Sequence, residues 1–248
     1  MANYLCSPPQ NSENFLDSAQ LENEKYIILT PITAHKLYSL ERFLNNITNF
    51  EPLPSEIVFC SEPEIKKVIF SWKKVLAKKR IKLTPLTLSQ KELLEAPPRT
   101  LEMITTSRNR LRQYFVLSQY NWALWLDSDI FPERTAPKKL FKVAFSEKYL
   151  AVSNYCPGRG EYPWAGIGCT LTHKAICRAI QFQHGSFIWE GKEVGWLSED
   201  FCFLAILDRL DPFLQGWIGW KARKIGAFVS VTHEVSPGVE KTLNVQIK

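Results

Sequence analysis

The chain has 248 residues, with 31 Lys and Arg against 25 Asp and Glu, for a formal net charge of +6. With 45% hydrophobic and 23% charged residues its composition is that of a globular protein, which excludes a disordered chain, a collagen and a coiled coil. The length fits one α/β domain with insertions or two small domains, no apolar run approaches the ~20 residues of a membrane span, and the basic excess favours anionic partners such as phosphates, nucleic acid or lipid surfaces.

Residues 1–24 are polar and turn-rich and lack a basic-then-apolar secretion signal, so they are expected to form a flexible leader. The six cysteines, at positions 6, 60, 156, 169, 177 and 202, form no CxxC pair and are expected to be reduced thiols in or near the core. Tyr26–Leu29 predicts a short strand stopped by Thr30-Pro31, Leu37–Ile47 a helix, and Glu56–Cys60 a second strand. A basic amphipathic helix should follow, with Ile65, Val68, Ile69, Trp72, Val75 and Leu76 on one face, and then a third strand at Ile81–Leu86. Strands alternating with helices at this spacing predict a parallel sheet covered by helices.

Leu101–Leu117 reads as a helix with Leu111, Phe115 and Ser118 inward, and it carries Arg108, Asn109, Arg110 and Arg112. Ala123–Leu126 is apolar throughout, the pattern of a central buried strand, and it ends in Asp127-Ser128-Asp129. Beyond Asn154, Gly and Trp become frequent; a strand is expected at Cys169–Thr172, helices at about 172–182 and 198–210, and a late strand at Ala227–Thr232 with Val229, Val231 and His233 on one face. Residues 25–130 are expected to form a nucleotide-type half and 131–248 a substrate-facing half of one domain.

In an extended chain residues i and i+2 point the same way, so Asp127 and Asp129 are expected to project together from the strand's carboxyl end, where open α/β sheets bind ligands. Two carboxylates about 5 Å apart repel by roughly 3 kcal/mol at an effective dielectric near 20. A hard divalent cation is the natural compensation. A calcium loop starting at Asp127 fails, because Pro132 and Lys138 stand where Gly and Glu are needed. A haloacid-dehalogenase phosphatase would want its Asp pair on the first strand and Thr or Val where Phe131 stands.

The string Ser107-Arg108-Asn109-Arg110-Leu111, followed by Trp122-Ala123-Leu124-Trp125-Leu126-Asp127-Ser128-Asp129-Ile130, resembles nucleotide-sugar glycosyltransferases of the GT-A fold, closest to the mannan-polymerase-like and family-two-like groups. The resemblance runs from about residue 26 to 234. It implies a Rossmann-like three-layer α/β/α fold with a mixed, mostly parallel sheet. It also implies transfer of a sugar from a UDP- or GDP-sugar donor to a carbohydrate or lipid-linked hydroxyl acceptor, with Mn²⁺ or Mg²⁺. By that similarity Asp129 would ligate the metal directly, Asp127 would bind ribose or reach the metal through water, and His233 would be a third ligand. Arg108 and Asn109 would contact the donor, and Thr30, Pro31 and Glu62 would line the base and ribose pocket. Leu197-Ser198-Glu199-Asp200 resembles the family's Glu-Asp motif, with Asp200 as the base in an inverting enzyme, or orienting the donor sugar in a retaining one, and Glu199 supporting it or binding acceptor. Gly166, within Trp164-Ala165-Gly166-Ile167-Gly168, would lie beside the donor sugar.

His173 and His184 have no partner pattern and are expected to be structural. Asn154 through Tyr162 is expected to form an acceptor loop, with Arg159 available to phosphate. Trp164, Trp189 and Trp196 fall in the acceptor half, where they pack in the core or stack on sugars. The basic helix at 65–82 and the run Trp217–Lys224 combine aromatics with base, as a solvated face or a peripheral membrane contact would. The expected location is the cytoplasm, at or near a membrane. Two rivals are a nucleotidyltransferase of related fold and a catalytically silent sugar- or nucleic-acid-binding module. The first would need a glycine-rich signature with Lys just after the first strand, which Thr30-Pro31-Ile32-Thr33 lacks; for nucleic acid, no recognition motif is present.

Overall fold

Residues 24–95, 101–157, 163–189 and 192–245 are described by a computed structural model. β1 (Tyr26–Pro31) leads through a 3₁₀ turn (Ala34–Ser39) into α1 (Leu40–Ile47), and β2 (Glu56–Ser61) leads into α2 (Lys66–Ser71) and α3 (Lys73–Lys78). Then come β3 (Lys82–Thr87), α4 (Gln90–Glu95), α5 (Leu101–Leu117), β4 (Trp122–Leu126), β5 (Ile130–Pro132), α6 (Ala136–Ser146), β6 (Ala151–Pro157) and β7 (Pro163–His173). The chain finishes with α7 (Lys174–Ala179), β8 (Gly185–Trp189), β9 (Lys192–Leu197), α8 (Glu199–Ile218), β10 (Lys224–Gly226), β11 (Val231–Ser236) and β12 (Val239–Leu243).

Seven strands form one sheet in the order β10-β6-β7-β4-β1-β2-β3. Neighbours pair in parallel except β7, which runs antiparallel to both β4 and β6. Alternation along the strands assigns the two faces. Tyr26, Trp122 and Phe59 share the face covered by α6 and α1, where Phe141 meets Tyr26 and Trp122 edge-on at 5.6 Å and Phe43 meets Phe59 at 6.0 Å. The opposite face carries Glu56, Trp125 and Asp127 and is covered by α5 and the segment after α7, through Tyr114 on Glu56, Phe182 on Trp125 and Arg108 on Asp127. This is the Rossmann-like three-layer α/β/α architecture with a mixed, mostly parallel sheet that the resemblance implies. Strands from both halves of the chain build the same sheet.

Three elements differ from expectation. The basic helix is broken at Trp72 into α2 and α3; Ile65, Ile69 and Leu76 are buried as expected, but Val68 and Val75 are exposed. The late strand does not occupy Ala227–Thr232. There the Asn154 side chain takes the backbone instead: its Oδ1 accepts from Phe228 N and Val229 N at 2.7 and 3.0 Å, and its Nδ2 donates to Val229 O at 3.0 Å. Strand pairing resumes only at Val231. The run Trp217–Lys224 is not an open basic face: Trp220 is buried against Phe145, Arg223 pairs with Asp208 and Lys224 with Glu147. Cys60, Cys156, Cys169, Cys177 and Cys202 are buried and form no disulfide. No helix among the described residues is long and apolar enough to cross a membrane. Residues 1–23, including nearly all of the expected leader, lie outside the described residues, as do Gly158, Arg159 and Gly160 of the expected acceptor loop. Trp164, Trp189 and Trp196 lie on β7, β8 and β9, with their side chains outside what is described.

Candidate active site

The carboxyl ends of β1 and β4 lie side by side, and the turn after β4 organises the site. Ile130 N donates to Asp127 O at 3.0 Å, so Asp127–Ile130 closes as a turn rather than continuing as an extended strand. The expectation that the two aspartates project together from an extended chain is corrected accordingly: each has its own partners. Asp127 stays tied to the sheet through its N–H, donated to Gly168 O at 3.0 Å. A Cβ built on Gly168 would lie 2.7 Å from Asp127 Oδ2, so only glycine leaves that carboxylate its place. Gly166 lies further along β7, where its carbonyl accepts from Thr170 Oγ1 at 3.0 Å.

Asp129 faces a second small sheet, in which β11 pairs with both β5 and β12. The register sets His233 opposite Ile130, and Glu234 N donates to Asp129 O at 2.9 Å. His233 Nε2 thereby lies 3.2 Å from Asp129 Oδ2, while Nδ1 lies 2.6 Å from Pro157 O. A carbonyl oxygen only accepts, so Nδ1 carries a proton. In the neutral ring Nε2 would then turn a lone pair toward the carboxylate oxygen, whereas the protonated ring donates to it. Lys36, from the 3₁₀ turn after β1, pairs with the same Oδ2. Burial alone would raise Asp129, but His233 and Lys36 outweigh it and hold the carboxyl below its usual range. Burial likewise opposes the charge on His233, and Asp129 and the Pro157 carbonyl outweigh it, raising the imidazole.

Arg108 forms the other half of the site. It shares the buried stripe of α5 with Leu111 and Phe115, at spacings of three and seven, and is 2% exposed. Its guanidinium donates to Asp127 Oδ1 at 3.1 Å, pairs with Asp200 Oδ1 and lies 3.4 Å from Glu199 Oε1. Glu199 and Asp200 come from the first turn of α8, where acids also complement the helix dipole. One cation thus joins the Asp-Ser-Asp turn to the Glu-Asp pair. Its guanidinium is held by all three carboxylates. The site carries four carboxylates, on Asp127, Asp129, Glu199 and Asp200, against the cations of Arg108 and Lys36. With His233 neutral the balance is about two negative charges.

Asn109 is drawn elsewhere. Its amide clasps the backbone of Phe182, donating to O at 2.8 Å and accepting from N at 2.9 Å. Phe182 stacks on Phe203 and lies below Arg108, so Asn109 braces the guanidinium from behind. Thr30 and Glu62 are buried at the ends of β1 and β2, and Pro31 is half-buried. Among the described residues six buried side-chain polar atoms lack a hydrogen-bond partner. Four of them, Thr30 Oγ1, Glu62 Oε2, Arg108 Nε and Glu199 Oε2, belong to residues singled out from the sequence as site candidates. Buried polar groups are normally paired, so these four atoms are open to a further polar partner. Cysteine chemistry is disfavoured: burial, followed by Asp127, pushes the Cys169 thiol up to about 12. Lys36 and Gly168 were missed in the sequence. The only hint for the first was a basic residue shortly after the first strand; for the second, a glycine two residues past the one chosen.

No protein-family model matches the chain, and no curated protein matches it. Among solved structures, residues 1–349 of S. aureus TarS are 14% identical, with 64% of this chain and 50% of that one covered and a TM-score of 0.47. The same fragment has been solved with UDP-GlcNAc. The glycosyltransferase GlyE of Streptococcus pneumoniae TIGR4 is 12% identical over 62% of this chain and 36% of that one, with a TM-score of 0.42. A putative glucose-1-phosphate thymidylyltransferase of Bacillus anthracis is 11% identical over 86% and 90%, with a TM-score of 0.49. The chain spans half the length of the TarS fragment it resembles. At such identities the likeness does not extend to chemistry.

Proposed function

We propose that the chain is a glycosyltransferase that moves a sugar from a nucleotide-diphosphate sugar to a hydroxyl acceptor. The observation that carries this reading is the gathering of unpaired buried polar atoms and paired acids at the carboxyl rim of a mostly parallel sheet, where such folds bind ligands. The class of ligand comes from the motif order, Arg-Asn helix, Asp-Ser-Asp turn, Glu-Asp helix start and late His, which resembles GT-A enzymes. Asp200 is the group to take the acceptor's hydroxyl proton as the acceptor oxygen attacks the anomeric carbon, assistance typically worth 10²–10⁴-fold. Arg108 holds Asp200 and Asp127 in one frame and acts as a positioning residue. Glu199 Oε2, Glu62 Oε2 and the Thr30 hydroxyl remain for hydroxyl groups of donor or acceptor, with Pro31 beside them.

The donor set at Asp129 and His233, a carboxylate oxygen beside an imidazole nitrogen, suits Mn²⁺ or Mg²⁺. Among the described residues no group of three or more His, Cys, Asp or Glu is arranged to hold a metal. The fit is therefore to an ion with two protein ligands, completed by phosphate oxygens and water, as is usual for Mg²⁺. Such an ion supplies Lewis-acid stabilisation of the departing diphosphate. Asp127, held by Arg108, is placed for the ribose or for a metal-bound water.

A thermal-shift screen of UDP, GDP and CDP, each with and without Mn²⁺, tests the reading. One nucleoside diphosphate should stabilise the protein more with metal than without, and Asp129→Ala should abolish the metal-dependent part. Metal-dependent hydrolysis of a nucleotide sugar would separate a catalyst from a silent binding module. Pyrophosphate release from a nucleoside triphosphate and a sugar 1-phosphate would instead assign nucleotidyl transfer.

A further inference from the structure

We propose that the outer face of α2 and α3 docks the protein on an anionic phospholipid surface. Residues 66–82 hold eight Lys and Arg and no Asp or Glu. Removing those eight charges from the chain's net +6 leaves the remainder at −2, so the whole positive excess sits in this one segment. Lys82 is committed to Glu56 at 2.9 Å. Lys66, Lys67, Lys73, Lys74, Lys78, Lys79 and Arg80 are exposed, and none is ion-paired with a described carboxylate.

The fold explains how the face arises. Ile69 and Leu76 bury the inner side of the two helices, which pack on the edge strand β3, so the remaining positions turn outward. Among the outward residues are Val68, Phe70 and Val75, at 46%, 44% and 45% exposure. Lys66, Lys67, Phe70 and Ser71 line an open recess of about 420 Å³. Lys73 Nζ lies 4.8 Å from the centre of the Phe70 ring, leaving an aromatic group flanked by ammonium groups.

Exposed apolar side chains interleaved with unpaired cations are what a membrane interface takes: the apolar groups enter the acyl boundary and the cations meet headgroup phosphates. A nucleic-acid duplex would satisfy the cations and leave Val68, Phe70 and Val75 in water. The face follows directly from the carboxyl end of β2, so a chain docked through it would present the rim bearing Glu62 close to the lipid. The inference rests on surface charge and exposure and does not depend on the glycosyl-transfer reading.

Sedimentation of the full chain with vesicles of phosphatidylcholine alone, or containing one-third phosphatidylglycerol, tests it. The protein should pellet with the anionic vesicles, stay in solution with the neutral ones, and be released by high salt. The Lys66→Gln/Lys67→Gln variant should bind about 30-fold more weakly, at about fivefold per removed charge. Phe70→Ser should weaken binding about tenfold without changing net charge. All three residues are exposed, so far-UV dichroism of the variants should match the parent. Equal pelleting with neutral vesicles, no pelleting with anionic ones, or displacement by duplex DNA of a binding that ignores Phe70→Ser would each overturn the proposal.

Discussion

Lys36 pairs with Asp129 Oδ2, the oxygen that the proposed divalent cation would use. A unit positive charge about 4 Å away costs an incoming divalent ion about 8 kcal/mol at an effective dielectric near 20, before Lys36 swings aside. Lys36→Met should therefore tighten Mn²⁺ binding in the absence of nucleotide, by tenfold or more, measured by calorimetry or by the paramagnetic signal of free Mn²⁺. Unchanged or weaker binding would show that the metal does not use Asp129. His173 offers a second residue-scale test, away from the site. It stands at the N-cap of α7 and its ring meets Trp122 at 5.0 Å. Burial, followed by the charges of Lys174 and Arg178, pushes its imidazole down to about 4. The unfolded chain takes up a proton below about pH 6.5, whereas the folded chain does so only near pH 4. Stability is lost as pH falls through that window, at no more than about 1.4 kcal/mol per pH unit from this group. His173→Asn keeps an acceptor at the cap and removes the titration. Urea midpoints measured at pH 7, 5.5 and 4 should fall less steeply for the variant than for the parent.

Helix α5, strand β4 and helix α8 converge on the Arg108 guanidinium. Replacing it with Met leaves Asp127, Glu199 and Asp200 facing one another without their shared cation. Removing one partner of a buried ion pair typically costs about 3–5 kcal/mol, and urea unfolding of Arg108→Met should show a loss of that size. A loss below about 1 kcal/mol would mean that other cations or solvent already neutralise the acids. The elements that build this junction were legible where their own residues carried the signal. The α5 boundaries are those expected, because apolar residues recur at helical spacing, and β4 stands out as an unbroken apolar run between polar turns. The Asp-Ser-Asp and Glu-Asp segments were legible as pairs of acids at element ends. What stayed hidden depends on distant partners. Lys36 meets an aspartate 93 residues away. The shift of the late strand to Val231 is set by the amide of Asn154, which no local pattern announces. Val68 and Val75 fit an inward stripe by spacing alone, yet α2 and α3 lie at the edge of the sheet with too little structure around them to cover both.

The chain is expected from its sequence to divide into two halves, residues 25–130 and 131–248, but the sheet does not divide. β7, from the second half, pairs along β4, from the first, over five residues, from Trp122–His173 to Leu126–Cys169. Separating the halves would expose the edge of β4, whose five residues are all buried, so the two should unfold together. Two thiols report on this independently. Cys60 lies on β2 and Cys177 on α7, and burial chiefly pushes them up to about 12 and about 11, which keeps both unreactive in the folded state. Pulsed alkylation read by mass spectrometry should find both becoming reactive at the same urea concentration, coincident with loss of the far-UV signal. A nucleotide bound at the shared rim should shift both midpoints equally. At a concentration 100 times its dissociation constant it adds about 2.7 kcal/mol, or roughly 5–10 °C in Tm for a domain of this size. Reactivity of Cys177 at lower urea than Cys60, or a ligand shift confined to one of them, would show that the second half opens on its own and that the rim belongs to the first half alone.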